Sequence, residues 1–285
     1  MSLLVRGLAG LATFQDAGRP GLRHFGVPPS GIWDQESAAL ANALVGNPPT
    51  AAIVELALGV IEMEATETIA IAWVGSGADG RRIVRAGETA RIGPPRRARI
   101  ALAAPGGFDS RLVMDSASGV SVAVGTVLTP KGSRLDEPVS LAEPPTTFEA
   151  APFRLLPGPQ ADRFDLAALG EAYRVSILSD RVGIRLEGTP LRRTDEIVSE
   201  PACPGTVQIA GDGQPIILGP DGPTIGGYPK IGVVCRADFD RLSQLRPGDS
   251  FVARWTDLDE ARAAAEAREA RLKRQLAAIR LSLAS

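Results

Sequence analysis

The chain has 285 residues, of which 44% are hydrophobic and 22% charged, and its formal net charge is −2. This balance is ordinary for a globular protein and excludes the strongly basic character that is typical of nucleic-acid-binding proteins. The sequence contains no run of about 18 apolar residues and no charged-then-apolar N-terminal segment. We therefore expect a cytoplasmic protein with no membrane contact.

Glycine and proline are in excess, with 31 and 23 residues, and they are spread along the chain as turn signals. That distribution favours many short strands over a helical bundle. Short apolar or alternating runs predict strands at residues 69–74, 97–103, 119–124, 173–178, 183–187, 206–209, 215–218 and 250–255. The fold is therefore expected to be mainly β.

Helices are predicted in few places. Asp34 is a suitable N-cap for a helix that runs to about Val45, where the sequence Gly-Asn-Pro ends it. Weaker helical patterns lie at 161–169 and 237–245. The segment 257–285 is rich in Ala, Glu and Arg. It predicts one long helix, whose apolar stripe packs on the chain's own barrel or on a partner.

A change of composition divides the chain. Residues 137–152 contain four prolines and no core periodicity, which predicts a linker. The predicted domains are 1–136, which contains a loop at 15–34, and 153–256, followed by the helix at 257–285.

Two common kinds of site are not expected. Residues 75–80 match the pattern GxGxxG, but the stretch that follows is predicted as two short strands rather than the helix that a dinucleotide site needs. A hairpin turn is expected there. The two cysteines, Cys203 and Cys235, show no CxxC spacing and the chain has one histidine, so no metal site is expected.

The loop at 15–34 concentrates polar side chains on a backbone fixed by glycine and proline. It holds Asp16, Arg19, Arg23, His24, Ser30 and Asp34. Either Arg19 or Arg23 could clamp a carboxylate or phosphate. Either Asp16 or His24 could move a proton. The alternative is a structural loop whose aspartates and arginines pair with each other.

Two further segments carry candidate residues. Asp180 and Arg181 lie in the stretch Ser-Asp-Arg-Val-Gly, for which the alternative interpretation is a β-turn salt bridge of Asp180 with Arg181 or Arg185. Tyr228 and Lys230 follow two adjacent glycines, which permit a backbone to approach a ligand closely. The alternative there is a tight barrel corner.

Together these segments resemble the KipA family, which comprises the C subunits of 5-oxoprolinase (PxpC) and is also called allophanate hydrolase subunit 2. The same unit is similar to half of the carboxyltransferase domain of biotin-dependent urea carboxylases. The resemblance runs from about residue 8 to residue 254. It rests on QDAGRPG at 15–21, RHFGVPPSGIWD at 23–34, LVGNP at 44–48, VELALG at 54–59, LPGPQADRF at 156–164, SDRVGIRLEG at 179–188, GGYPKIG at 226–232 and QLRPGD at 244–249.

The resemblance implies a fold of two cyclophilin-like β-barrel halves. It also implies two partners, a KipI-like chain that corresponds to the B subunit of 5-oxoprolinase and a LamB/YcsF-like chain that corresponds to the A subunit. Together the three chains open 5-oxo-L-proline to L-glutamate with ATP. The interface with the KipI-like partner is one place for ATP to bind. A small amide or cyclic amide is the expected substrate, and the chain is not expected to be active alone.

The candidate site residues follow from matching the motifs. The catalytic candidates are Asp16, Arg19, Ser30 and Asp34. The substrate-binding candidates are His24, Glu55, Asp180, Arg181, Tyr228 and Lys230. Two other functions stay open: a carboxyltransferase component that acts on urea or a similar amide with biotin supplied by another chain, and a non-catalytic regulatory partner that antagonises KipI.

Two stretches depart from the family pattern. Residues 113–120 lack the arginine of the usual Gly-Ser-Arg-Ser-Thr-like stretch, and residues 221–225 read DGPTI where DRQTT is usual. Both stretches fall where polar ligand contacts are expected. The missing arginine at 222 motivates the regulatory alternative.

Overall fold

The computed structural model describes residues 1–75, 77–133, 139–140, 151–164, 172–191 and 197–284. The chain divides into two compact units. Unit one comprises Met1–Arg19, Asp34–Phe148 and Ala270–Ser285, and unit two comprises Pro20–Trp33 and Glu149–Glu269. Most of the predicted linker at 137–152 lies outside the described residues, so the predicted domain boundaries stay a prediction.

Unit one is built on a ten-stranded antiparallel sheet. Its strands are β1 (Leu3–Gln15), β2 (Ile53–Ala65), β3 (Ile69–Val74), β4 (Gly80–Val84), β5 (Thr89–Ile92), β6 (Arg99–Ala103), β7 (Phe108–Asp109), β8 (Ser121–Val122), β9 (Val127–Pro130) and β10 (Val139–Ser140). The strand order is β10-β4-β3-β6-β2-β1-β9-β7, with β5 paired to β2 and β8 paired to β1. The GxGxxG match lies between β3 and β4, which pair as a hairpin as predicted.

The longest strands, β1 and β2, were not predicted from the sequence. Each has 13 residues, and irregularities between Val5 and Gly7 and between Ala9 and Leu11 shift their register. Glycine is required at the second shift, because a Cβ on Gly59 would lie 1.7 Å from the carbonyl oxygen of Ala9. These interruptions break the alternation of apolar residues that identifies a strand.

Helix α1 (Gln35–Leu44) begins where it was predicted to begin. Asp34 accepts hydrogen bonds from the backbone N–H of Ser37 at 2.9 Å and from its hydroxyl at 2.7 Å, which makes it the N-cap. The helix is almost wholly buried and packs against β3, β4 and β6. The buried carboxylate of Glu36 is paired with Arg271, at 2.7 Å from Oε1 to Nη1.

Unit two contains an eight-stranded sheet and a separate two-stranded sheet. The larger sheet is formed by β11 (Phe153–Pro157), β12 (Tyr173–Val175), β13 (Gly183–Glu187), β15 (Thr206–Ile209), β16 (Pro215–Leu218), β18 (Lys230–Val234), β19 (Ser250–Phe251) and β20 (Ala253–Trp255). The smaller sheet pairs β14 (Glu200–Pro201) with β17 (Ile225–Gly226). All pairs are antiparallel except β11 with β20.

Two helices complete the described elements. Helix α2 (Phe239–Ser243) is shorter than the pattern at 237–245 predicted, because a 3-10 turn at Arg236–Asp238 precedes it. Helix α3 (Leu258–Ala284) agrees with the predicted long helix. Among the described residues, none of the helices is both long and apolar enough to cross a membrane.

The prediction of a mainly β fold with few short helices and a long C-terminal helix is confirmed. The strands form a nearly closed barrel, which fits a cyclophilin-like fold. Strand β12 ends at Val175, three residues before the predicted end, and leaves Ile177 and Leu178 exposed in a turn. The helical pattern at 161–169 begins as a 3-10 turn at Ala161–Arg163, and its residues 165–169 lie outside the described residues.

Candidate functional site

Asp16 fastens the start of the 15–34 loop to a tight hairpin in unit one. Its carboxylate accepts hydrogen bonds from the hydroxyls of Ser116 at 2.6 Å and Ser118 at 2.7 Å. The backbone N–H groups of Ala117 at 2.7 Å and Gly18 at 2.9 Å donate to the same carboxylate. With four donors, this carboxylate is firmly held in place.

These contacts control the acidity of Asp16. Burial alone raises the pKa of the carboxyl group, but the hydrogen bonds from Ser116, Ser118, Ala117 and Gly18 outweigh burial, and the pKa lies below the usual 3.8. Asp16 is therefore suited to hold a hairpin as a stable anion. A residue that transfers protons at neutral pH needs a pKa nearer to neutrality.

The side chain of Arg19 binds main-chain carbonyl oxygens of the same hairpin. Its Nε donates to the carbonyl oxygen of Val113 at 3.1 Å and its Nη2 to that of Ser118 at 2.7 Å. The hairpin turns through Met114 and Asp115, which have φ values of 50° and 60°, and such values are uncommon for residues other than glycine. Asp16 and Arg19 thus hold in place the stretch at 113–120 that departs from the family pattern.

Ser30 lies in a three-residue cluster within unit two. Its Oγ donates to Oδ1 of Asp221 at 2.6 Å, and its N–H donates to the carbonyl oxygen of Pro220 at 2.9 Å. Asp221 is also ion-paired with Arg181, at 2.8 Å from Nε to Oδ2. Arg181 donates in addition from Nη2 to the carbonyl oxygen of Gly31 at 2.7 Å.

The backbone of Ser30 is held in the left-handed region, with a φ of 52°. That conformation is unfavourable for a non-glycine residue, and such residues are frequent where a site must aim a side chain. Asp221 thus joins the half-buried hydroxyl of Ser30 to the guanidinium of Arg181, because each of these groups contacts its carboxylate directly.

Lys230 lies in a second cluster of unit two. Its buried ammonium contacts Oε2 of Glu200 at 3.4 Å and the carbonyl oxygens of Gly226 at 3.1 Å and Tyr228 at 3.4 Å. The amide of Gln160 links the same groups, since its Oε1 accepts from the N–H of Lys230 and its Nε2 donates to Glu200. The side chain of Tyr228 is 42% exposed.

The remaining candidates lie elsewhere. Asp34 is the buried N-cap of α1, and Glu55 on β2 is buried in an ion pair with Arg99, at 3.1 Å from Oε1 to Nε. His24 is exposed, with its ring 3.9 Å from that of Phe25. Their roles as catalytic or substrate-binding residues stay predictions.

Asp180 shapes its own turn. Its Oδ1 accepts from the N–H groups of Val182 at 2.8 Å and Gly183 at 3.1 Å, which is an Asx-type turn. The alternative interpretation was a salt bridge of Asp180 with Arg181 or Arg185. Arg181 pairs with Asp221 instead, and the ion pairs of the described residues include none between Asp180 and Arg185. Within the described residues, no group of three or more His, Cys, Asp or Glu residues lies close enough to hold a metal ion.

The comparison with known proteins identifies the family. Residues 25–254 match the carboxyltransferase domain family, subdomains A and B. The chain belongs to this family. It is 33% identical over 280 residues to the C subunit of 5-oxoprolinase from Escherichia coli (strain K12), covering 87% of this chain and 89% of that one. The resemblance found in the sequence is thereby confirmed.

Other relatives are much longer proteins. Urea amidolyase of Lachancea kluyveri is 30% identical over an alignment of 298 positions, which covers 84% of this chain but 16% of that protein. The crystal structure of TTHA0988 superposes with a TM-score of 0.79 at 32% identity, covering 90% of this chain and 55% of that one. The urea amidolyase structure from K. lactis has a TM-score of 0.83 at 23% identity, covering 96% of this chain and 20% of that one, and this likeness concerns the fold. The chain thus spans about half of one solved relative and a fifth of the other.

Sequence reasoning missed several residues that contact the candidate side chains. Asp221, Ser116 and Ser118 all lie in the two stretches that depart from the family pattern. The departures marked these stretches, but the sequence held no signal for which side chains contact which, because the partners are about 100 or more residues apart. Gln160 and Glu200 were likewise not among the candidate site residues.

Proposed function

We propose that this chain belongs to a 5-oxoprolinase-type hydrolase complex that converts 5-oxo-L-proline to L-glutamate with ATP. The proposal is supported by the relative from Escherichia coli that is named as the C subunit of 5-oxoprolinase and matches this chain over 89% of its length. In the proposed complex a KipI-like chain and a LamB/YcsF-like chain are the partners. The chain is inactive alone and the complex works in the cytoplasm, where free thiols such as Cys203 and Cys235 persist.

The observation that carries the proposal for this chain is the cluster of Ser30, Asp221 and Arg181. Opening a lactam places negative charge on the carbonyl oxygen, and fixed donors near that oxygen lower the barrier. The Arg181 guanidinium is such a donor, and the Ser30 hydroxyl, which gives its single hydrogen to Asp221 in this structure, becomes one when it rotates towards the substrate. We assign Ser30 and Arg181 to the lactam, and Asp221 to the orientation of both.

ATP is assigned to the interface with the KipI-like partner. Among the described residues, the GxGxxG match forms a hairpin between β3 and β4 rather than the strand–helix turn that cradles phosphates. The chain's own residues therefore do not fit a nucleotide cradle there.

A second candidate function is carboxyl transfer to urea or a similar amide. It is favoured by the name of the matching family and by the urea amidolyase of Lachancea kluyveri at 30% identity. In this case biotin is carried by another chain. The same donors, Ser30 and Arg181, would then hold the amide that accepts the carboxyl group.

Co-purification with both partner chains separates these functions. The complex is assayed for glutamate formed from 5-oxo-L-proline with and without ATP, and again after addition of avidin. ATP-dependent turnover that avidin leaves unchanged supports the hydrolase. Activity on urea that requires a biotinylated protein and stops with avidin supports the carboxyltransferase. Stable partner binding without either activity in a folded complex rejects both and leaves the regulatory role.

A further inference from the structure

Gln208 and Lys230 are direct neighbours on one face of the larger sheet of unit two. They are paired across β15 and β18, where the register shifts between Val207 and Gln208. Side chains opposite each other in an antiparallel pair project to the same face. Val207 and Ile209 belong to the hydrophobic core, so the alternation of the strand places Gln208 and Lys230 on the other face.

The two-stranded sheet of β14 and β17 borders this pair. Lys230 Nζ donates to the carbonyl oxygen of Gly226 at 3.1 Å. A Cβ at residue 226 would lie 3.0 Å from Nε2 of Gln208, so glycine lets the backbone approach that nitrogen. Both side-chain nitrogens therefore converge on Gly226.

Within the part of the chain that the structure describes, one of these nitrogens lacks a hydrogen-bond partner, and the other is held mostly by long contacts. Gln208 is 3% exposed, and among the described residues its Nε2 is a buried nitrogen with no hydrogen-bond partner. The side chain of Lys230 is 5% exposed, and its three contacts are 3.1, 3.4 and 3.4 Å long. Buried donors usually find acceptors, because an unmade hydrogen bond is costly in the interior.

One of the three acceptors that contact the Lys230 ammonium is able to move away. Glu200 is the acid that contacts Lys230, at 3.4 Å, and its side chain is 42% exposed. A carboxylate at that distance, open to water, is a weak partner that an incoming carboxylate can replace.

We propose that Nζ of Lys230 and Nε2 of Gln208 form a subsite for a small carboxylate, and that Glu200 competes with the ligand for it. A carboxylate fits better than a phosphate, because two donors with one positive charge match two oxygens and a single negative charge. The inference rests on the proposed function, in which 5-oxo-L-proline carries a carboxylate beside its lactam. Gln208 and Glu200 then determine specificity for the acid over the neutral lactam.

Binding to the full chain tests the subsite without any turnover. Isothermal titration uses 5-oxo-L-proline, the neutral lactam 2-pyrrolidone and inorganic phosphate as probes. Lys230→Met is expected to weaken binding of 5-oxo-L-proline about tenfold or more, and Gln208→Leu to weaken it several-fold. Glu200→Gln is expected to tighten it several-fold, because the competing charge is removed. Neither 2-pyrrolidone nor phosphate should respond in this way.

Glu200→Gln, which is expected to tighten binding, keeps the test informative if Lys230→Met does not fold. Unchanged or weaker binding of 5-oxo-L-proline to Glu200→Gln overturns the subsite, as does phosphate binding that follows the same pattern. The proposed function is judged separately by glutamate formation in the complex. If 5-oxo-L-proline binds with the expected pattern but the complex shows no turnover, the subsite is supported and the hydrolase is rejected. If the complex turns over but binding is unaltered in all three variants, the hydrolase is supported and the subsite is rejected.

Discussion

Ser30 donates a 2.6 Å hydrogen bond from Oγ to Oδ1 of Asp221, although 191 residues separate the two in the sequence. The same carboxylate holds Arg181. The 15–34 loop is therefore oriented by one of the two stretches that depart from the family pattern. The departure at 221–225 retains its aspartate, and this aspartate makes the contacts.

Replacement of Ser30 separates the role of its hydroxyl from the strain of its backbone. Ser30→Ala and Ser30→Gly both remove the hydroxyl, so we expect turnover by the complex to fall about 100-fold in each. Glycine tolerates the φ of 52°, so Ser30→Gly should be more stable than Ser30→Ala by about 1 kcal/mol. Steady-state kinetics and urea unfolding measure the two effects. Full activity of Ser30→Gly would show that the hydroxyl is not used.

Arg181→Lys tests whether the shape of the guanidinium matters rather than its charge. Lysine cannot bind both Asp221 and the carbonyl oxygen of Gly31 with the fixed geometry of Arg181. We expect turnover to fall at least about tenfold, on the scale of one lost charge-assisted hydrogen bond. Arg185→Lys, at an exposed position of β13, is the matched control and should keep normal kcat and KM. Equal kinetics of the two variants would remove Arg181 from the site.

Asp16→Asn should change the pH dependence of stability. The pKa of Asp16 is lower in the folded chain than its usual 3.8, so the folded state gains stability from the ionised form above that value. This stability is lost as the pH falls through the folded pKa. The wild-type chain should therefore lose more free energy of unfolding between about pH 5 and pH 3 than Asp16→Asn does.

Urea unfolding across that pH range measures the difference, with Glu266→Gln as control because Glu266 is exposed on α3. At pH 7 Asp16→Asn should be less stable by about 1–3 kcal/mol, since hydrogen bonds to a charged acceptor are lost. Parallel pH profiles for wild type and Asp16→Asn would contradict the assignment of Asp16 as an anionic tether.

The buried ion pairs of Asp238 should stabilise unit two against unfolding. Its side chain is 0% exposed and contacts Arg154 at 2.6 Å and Arg241 at 2.9 Å. Asp238→Asn removes the shared charge, and we expect a loss of about 3 kcal/mol in the free energy of unfolding. Asp259→Asn, whose side chain is 98% exposed, should show no measurable loss. Similar stability of the two variants would contradict this estimate.

Local patterns predicted local structure well. The cap at Asp34, the strand Ile69–Val74 and the long C-terminal helix needed only side chains close in the sequence, and all three are present. The strands β1 and β2 escaped prediction because bulges at their glycines interrupt the alternation. For the candidate site, the sequence indicated Ser30 and Arg181 but not that Asp221 joins them, because a contact over 191 residues leaves no periodic signal.

The neighbours of Lys230 were also only partly predictable from the sequence. The sequence placed Tyr228 and Lys230 after two glycines, as found, but Gln208 reads as an ordinary polar position of a strand. Its importance lies in a pairing across the sheet and in a buried nitrogen without a partner among the described residues. Both are properties of the tertiary structure.

The central claim is that this chain is required for ATP-dependent opening of 5-oxo-L-proline. The most direct measurement is the rate of glutamate formation by the purified KipI-like and LamB/YcsF-like chains alone, with this chain, and with its Ser30→Ala variant. We expect turnover with the wild-type chain, and little or none when it is left out or replaced by a folded Ser30→Ala variant that still binds its partners. A rate that does not depend on this chain, or that Ser30→Ala restores in full, would contradict it.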